Sequence, residues 1–161
     1  MTIQSKNDSP RKKGSPMSWF AISVFFVLTI TAWVKIVALT EERPLWREPD
    51  PVFQFIDVGI SMVIAASLEL IVAGLVIVRR ASLDAMLSSF CLVALFVGYR
   101  WLGQALFAKR PCACLGNGLD WTGLSEGAQA LLPLVVLSYI GAGSLLFLIL
   151  GAFDRDSPLS K

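Results

Sequence analysis

The stretch DVGISMVIAASLELIVAGLVIV, residues 57–78, decides the fold of this chain. After Asp57 at its first position it carries a single charge, Glu69, before the pair Arg79-Arg80 that follows it. A helix needs about 20 mainly apolar residues to cross a hydrocarbon layer of about 30 Å. Backbone groups inside a bilayer have no water to bind, so such a segment is expected to be helical. Residues 57–78 therefore predict a membrane-spanning helix.

Three further apolar blocks of similar length lie at residues 17–39, 85–107 and 131–153, with Pro133 expected in the first turn of the last one. The chain is 55% hydrophobic and only 16% charged, well below the roughly 25% charge of a soluble domain. We predict an all-α, integral membrane four-helix bundle over residues 17–153, with the lipid bilayer as its surroundings. The sequence neither favours nor excludes a homo-oligomer.

The polar ends are predicted to lie outside this domain. Residues 1–16 are rich in Ser, Pro, Lys and Arg, which is typical of a disordered tail, and residues 154–161 form a polar C-terminal tail. A cleaved signal peptide is the alternative for the first apolar block. That block is longer than the 7–15 apolar residues of a signal peptide, and no small-residue cleavage site follows it.

Positive charges predict the orientation. With a cytoplasmic N-terminus, eight lie on the inner side: Lys6, Arg11, Lys12, Lys13, Arg79, Arg80, Arg155 and Lys161. Four lie on the outer side: Arg43, Arg47, Lys109 and Arg110. This bias favours a multi-pass protein of the plasma (inner) membrane with both termini in the cytoplasm. The connection after the third block, which carries Cys112 and Cys114, is then extracytoplasmic.

The pair Cys112-Ala113-Cys114 is the main candidate for catalysis. Two thiols one residue apart on an oxidising side can alternate between dithiol and disulfide, and a strained or exposed disulfide is the exchangeable kind. Lys109 and Arg110 favour the reactive thiolate, and Cys112, closer to both, is the expected attacking thiol. The alternatives are inert packing or a static staple, which would close almost no loop and add little stability.

The sequence gives little support for a metal site, for a third reactive cysteine or for binding of nucleic acid. The chain has no His, so the two cysteines supply at most half of a tetrahedral metal site and we predict no metal. Cys91 lies 21 residues before Cys112, roughly 30 Å along a helix, and is expected to be a small apolar residue. The only basic run, residues 11–13, is too short to indicate a nucleic-acid partner.

Charges within the predicted spans are a second candidate site. Counted from the outer end, Glu69 lies roughly 18 Å deep, Arg100 roughly 10 Å and Lys35 roughly 6 Å. Arg100 is therefore the expected partner of Glu69, and Lys35 matches its depth less well. An intramembrane charge is costly unless it is paired or wetted. The pair is either a clamp that orients helices or part of the function, and a protonated Glu69 bonded to a hydroxyl is a third alternative.

Four spans, the motif Leu68-Glu69-Leu70 and the pattern Cys-x-Cys-Leu-Gly at residues 112–116 together resemble the MauE-like branch of the MauE/DoxX redox-associated membrane proteins. MauE is the methylamine-utilisation protein E. The resemblance covers roughly residues 17–152. It departs from the commoner Cys-Gly-Cys-Phe-Gly form at Ala113 and Leu115, while both cysteines are retained.

The resemblance implies a thiol–disulfide relay that exchanges with an exported thioredoxin-like partner, in the maturation of a methylamine-dehydrogenase-like enzyme. Whether the chain is itself a thiol–disulfide oxidoreductase is left open, and a quinone dissolved in the bilayer is the candidate electron acceptor. Two other classes remain. One is a non-enzymatic membrane scaffold for a redox or assembly factor. The other is a small transporter using Glu69 and Arg100, although no inverted repeat favours it.

Overall fold

Four long helices make up most of the fold. The computed structural model describes residues 16–41, 44–79, 82–106 and 126–155. Within them lie α1 (Pro16–Thr40), α2 (Val58–Val78), α3 (Leu83–Leu106) and α4 (Glu126–Arg155), with a short 3-10 helix at Pro44–Arg47 between α1 and α2. Each long helix is long and apolar enough to cross a membrane. The predicted all-α four-helix membrane bundle is confirmed.

The start of α4 differs from the expectation. The helix begins at Glu126, five residues before the predicted block, so Pro133 lies in its third turn and not in its first. A proline there has no N–H to donate, and the carbonyl four residues earlier loses its usual helical partner. Pro133 is buried and lines an internal cavity. The missing backbone hydrogen bond of α4 thus lies inside the bundle.

The link from α2 to α3 is short because each helix end is closed locally. The amide of Arg79 donates to the carbonyl of Leu75 at 2.9 Å and ends α2. The hydroxyl of Ser82 accepts a hydrogen bond from the amide of Ala85 at 3.2 Å, which is the N-cap arrangement of α3. Asp84 in the first turn of α3 adds a favourable charge near the helix N-terminus.

Only a narrow stripe of each helix is buried in the bundle. Helices α1 and α2 pack extensively on each other, as do α3 and α4, while α2–α3 and α1–α4 contacts complete a ring. Small residues such as Ala21, Ala66 and Ala73 are almost fully buried and let the helix backbones approach closely. The remaining faces expose large apolar side chains, for example Phe26 and Ile71. These faces suit lipid, because a soluble monomer rarely exposes so much apolar surface.

The connection between α1 and α2, described at residues 41 and 44–57, is ordered and forms a cap on the bundle. The indole of Trp46 donates to the carbonyl of Glu41 at 2.7 Å, and its ring is buried in a cluster with Ala38, Val58 and Met62. The chain then turns back on itself: the amide of Asp50 donates to Ile56 and the amide of Val58 donates to Glu48. The segment therefore covers one end of the bundle.

Asp50 holds this cap together and is only 1% exposed. Its Oδ1 accepts hydrogen bonds from the amides of Val52 and Phe53, both at 2.8 Å, and its Oδ2 accepts one from the Tyr99 hydroxyl of α3 at 2.5 Å. Burial raises the pKa of Asp50, but these hydrogen bonds outweigh burial and hold the pKa below its usual value. The ionised carboxylate thus ties the cap to α3.

We predict that Tyr99→Phe lowers the free energy of unfolding by about 1.5–3 kcal/mol, because it removes a hydrogen bond to a charged group. Denaturation in mixed micelles, followed by circular dichroism, measures this. Tyr139→Phe is the matched control. Its hydroxyl pairs with the neutral Ser23 at an exposed position, 2.7 Å away, and its loss should cost less. Equal losses in the two variants would contradict the role of Asp50.

The same contact predicts an acid dependence. Because the folded-state pKa of Asp50 is lowered, its contribution to stability is present above the unfolded-state pKa of about 3.9 and is lost as the pH falls through the folded-state pKa. Asp50→Asn should therefore flatten the fall in unfolding free energy as the pH drops below about 4. Unfolding curves across this pH range test it, and identical slopes in both proteins would refute it.

Candidate functional site: a buried ion pair beside an internal cavity

The strongest polar interaction between spans joins Lys35 of α1 to Glu69 of α2. The Lys35 Nζ lies 2.5 Å from the Glu69 Oε1, and both side chains are 3% exposed. The ammonium also lies 5.5 Å from the centre of the Phe96 ring on α3, within the range of a cation–π interaction. Removing two charges from water costs several kcal/mol each, and close pairing offsets much of that cost. The pair thus connects three helices inside the bundle.

Lys35 is not the partner of Glu69 that the depths of the charged residues in the predicted spans favoured. The sequence favoured Arg100, yet Lys35 is the residue that pairs with Glu69, and Arg100 makes no ion pair within the described residues. Counting residues along a helix ignores side-chain direction. The Cα–Cβ bonds of a helix tilt toward its N-terminus, so Lys35 on α1 points away from the capped end of the bundle while Glu69 on the antiparallel α2 points toward it. The two side chains close the gap in depth, and the extensive α1–α2 packing brings them together.

One oxygen of the pair lacks a partner. The Glu69 Oε2 is buried and accepts no hydrogen bond from the described residues. The nearby Thr31 hydroxyl donates a hydrogen bond to the carbonyl of Leu28 at 3.0 Å. A buried acceptor without a donor costs about 1–3 kcal/mol. Such an oxygen beside a cavity can accept a hydrogen bond from a bound molecule.

A cavity of about 130 Å³ lies beside the pair. All four helices line it, and Asp50, Phe53 and Ile56 of the cap line it from the loop side. Its walls are mainly apolar, and the Lys35–Glu69 pair and Asp50 are charged groups among them. Arg100, which is partly exposed, also lines it. The cavity therefore combines an apolar interior with a charged donor and an unused charged acceptor.

The other predicted site residues lie outside the described part of the chain: Cys112, Cys114, Lys109 and Arg110. Along the chain, their segment follows α3 and precedes α4. Near its C-terminal end, α3 reaches the cap through the hydrogen bond from Tyr99 to Asp50. Cys91 is a free, exposed cysteine on α3. In the described ranges no cluster of three or more His, Cys, Asp or Glu residues is placed to hold a metal ion.

Sequence reasoning missed two residues that shape this site and ranked a third one too low. Lys35 was considered as a partner of Glu69 and placed behind Arg100, although it is the only charge of its block. Asp50, between Pro49 and Pro51, has the sequence of a turn in which a carboxylate binds its own backbone. Tyr99 carried no comparable signal, because nothing in the local sequence identifies the distant Asp50 as its acceptor.

Comparison with known proteins found no matching family model, no similar curated protein and no similar solved structure. The resemblance to MauE-like proteins therefore stays a prediction from the sequence motifs.

We predict that Lys35→Met destabilises the protein by about 3–5 kcal/mol, because it leaves the Glu69 carboxylate buried without its partner. The double variant Lys35→Met/Glu69→Leu should recover most of this loss, since both charges are removed together. Unfolding in mixed micelles measures both. Arg100→Met is the control and should cost less than Lys35→Met. If Arg100→Met were as damaging and the double variant stayed unstable, the assignment of Lys35 as the partner would be wrong.

Proposed function

We propose that this chain is the membrane component of a thiol–disulfide relay, in which Cys112 and Cys114 exchange with an exported thioredoxin-like protein. The observation that carries the proposal is the Cys112-Ala113-Cys114 motif in the segment that joins two membrane-spanning helices. The motif lies next to Lys109 and Arg110, whose positive charges favour thiolate.

The exchange conserves atoms and electrons. In the reduced chain, the Cys112 thiolate attacks one sulfur of the partner's disulfide, forms a mixed disulfide and releases the other partner sulfur as a thiolate. The Cys114 thiolate then attacks Cys112, which forms the Cys112–Cys114 disulfide and frees the second partner thiol. Two electrons have moved to the partner, and the two protons of the chain's thiols balance those taken up by the partner. The reverse sequence oxidises the partner through the same mixed disulfide, and in that direction the oxidised pair of this chain takes two electrons from the partner and passes them to an electron acceptor.

The positive-charge bias supports an orientation in which this exchange takes place outside the cytoplasm, with both termini inside. Disulfides form and persist in that compartment. The resemblance to MauE-like proteins favours an exported, disulfide-rich enzyme of the methylamine-dehydrogenase type as the final client.

We predict that Cys114→Ser traps the mixed disulfide with the partner, because no resolving thiol remains on this chain. Affinity purification after acid quenching, followed by a non-reducing gel, should show a partner-sized adduct that disappears on reduction. Cys112→Ser should give no such adduct if Cys112 attacks first. Cys91→Ser is the matched control and should exchange as the natural chain does.

Two outcomes would overturn the proposal. Full exchange activity in Cys112→Ser/Cys114→Ser would remove the cysteines from the reaction. A partner that co-purifies equally with that double variant, together with no mixed disulfide in Cys114→Ser, would instead favour a non-enzymatic scaffold.

A further inference from the structure

Two groups beside the cavity, the Lys35 ammonium and the Glu69 Oε2, can form further hydrogen bonds. The Lys35 ammonium has three N–H groups, of which the recorded hydrogen bond to the Glu69 Oε1 uses one. The Glu69 Oε2 is buried without a partner among the described residues. A donor and an acceptor thus lie side by side, at the edge of an apolar space within the bundle. Both are charged, so each would form a strong hydrogen bond with a guest.

We propose that this cavity binds the head group of a lipid-soluble quinone, a proposal that rests on the relay function above and supplies its electron acceptor. A quinone head carries a carbonyl oxygen that accepts a hydrogen bond, which fits the Lys35 ammonium. The reduced quinol carries a hydroxyl that donates one, which fits the Glu69 Oε2. The same pair of side chains therefore recognises both redox forms.

The size and the walls of the cavity match a six-membered ring. An engineered cavity of about 150 Å³ in another protein binds benzene, and the space here is about 130 Å³. Aromatic side chains of Phe53, Phe96 and Tyr99 line it, and such side chains pack well against a planar ring. The cavity is therefore close in size to one that holds a six-membered ring, and its lining is mainly apolar.

The cavity also has a route for an isoprenoid tail. Ile64 of α2 and Leu95 of α3 both line the cavity, yet about half of each side chain is exposed at the outer surface of the bundle. In this proposal, the gap between α2 and α3, which these two residues flank, is the opening of the cavity toward lipid. A quinone dissolved in the bilayer can enter there with its ring first and leave its tail among the lipids.

The redox step balances without a further reactant. The two thiols of Cys112 and Cys114 lose their hydrogens and form one S–S bond. Two electrons and two protons reach the two quinone oxygens, so quinone becomes quinol. In this scheme Lys35 and Glu69 position the ring, and the exchange with the thioredoxin-like partner needs no quinone to be present.

Binding is tested with the full chain carrying Cys112→Ser/Cys114→Ser, reconstituted in lipid nanodiscs and titrated with 2-decyl-1,4-benzoquinone, whose ring carries no other substituent. Trp46 packs in one cluster with Met62, and Met62 lines the cavity, so quenching of tryptophan fluorescence reports occupancy. We expect saturable quenching. Ala65→Phe, which adds a ring at a cavity-lining position, should weaken binding about tenfold or more. Ala94→Phe, on the exposed face of α3, is the matched control and should bind as the parent does.

The polar contacts are tested separately, in case Ala65→Phe fails to fold. Lys35→Met/Glu69→Leu removes both charges together, and its affinity should fall about tenfold or more, as expected for lost hydrogen bonds to charged groups. Decylbenzene, which has the ring and tail but no oxygen, should not compete. Non-saturable quenching, equal binding by the double variant, or full competition by decylbenzene would each overturn the quinone site.

Failure here and failure of the relay are distinguishable. The titration uses a chain without the cysteine pair, so its outcome does not depend on thiol exchange. The mixed disulfide trapped by Cys114→Ser forms without quinone, so it does not depend on the cavity.

Discussion

The ion pair between Lys35 and Glu69 is the interaction on which the rest of this structure depends. A single charge on either helix would be unfavourable inside a bilayer, where no water compensates for lost hydration. Together the two side chains are almost fully buried, which requires α1 and α2 to pack with one fixed register and rotation. The packing of the other helices then has to accommodate a charged centre. The ring of Phe96 on α3 faces the ammonium, so a third helix contributes to this accommodation.

A second fixed point lies at the end of the bundle. Asp50 binds two backbone amides of its own turn and the hydroxyl of Tyr99 on α3. The segment between α1 and α2 is thereby held over the helix ends, and three of its residues form part of the cavity wall. A carboxylate holds each of these two places, Glu69 in the ion pair and Asp50 in the cap. The side chains around the space between them therefore have defined positions. A cavity with such walls can select a guest by shape as well as by hydrogen bonding.

The sequence predicted the fold well because hydropathy over about 20 residues depends only on local composition. The four spans and most of their ends follow from it, as does the importance of Glu69. The start of α4 did not follow, because residues 126–130 are helical without being strongly apolar and Pro133 suggested a first turn. The partner of Glu69 did not follow either, since side-chain direction across two packed helices is a tertiary property. The contact between Asp50 and Tyr99 spans 49 residues, and no local pattern encodes it.

The proposed relay assigns different tasks to the cysteine pair and to the buried charges. Thiol exchange with a soluble partner needs accessible sulfur, whereas recognition of a lipid-soluble molecule needs an apolar space within the helices. Along the chain, the segment with the cysteines follows α3 and precedes α4, and α3 contacts the cap through Tyr99. The hypothesis therefore assigns distinct tasks to distinct parts of a small chain.

The most direct measurement is the redox state and location of Cys112 and Cys114 in intact cells. A Cys91→Ala chain is treated with a membrane-impermeant maleimide, with and without prior reduction, and labelling is read as a mass shift. The relay predicts labelling only after reduction, because the pair is extracytoplasmic and oxidised. Labelling without reduction would show exposed free thiols and contradict an oxidised pair. Labelling that requires lysis would contradict the extracytoplasmic location on which the proposed exchange depends.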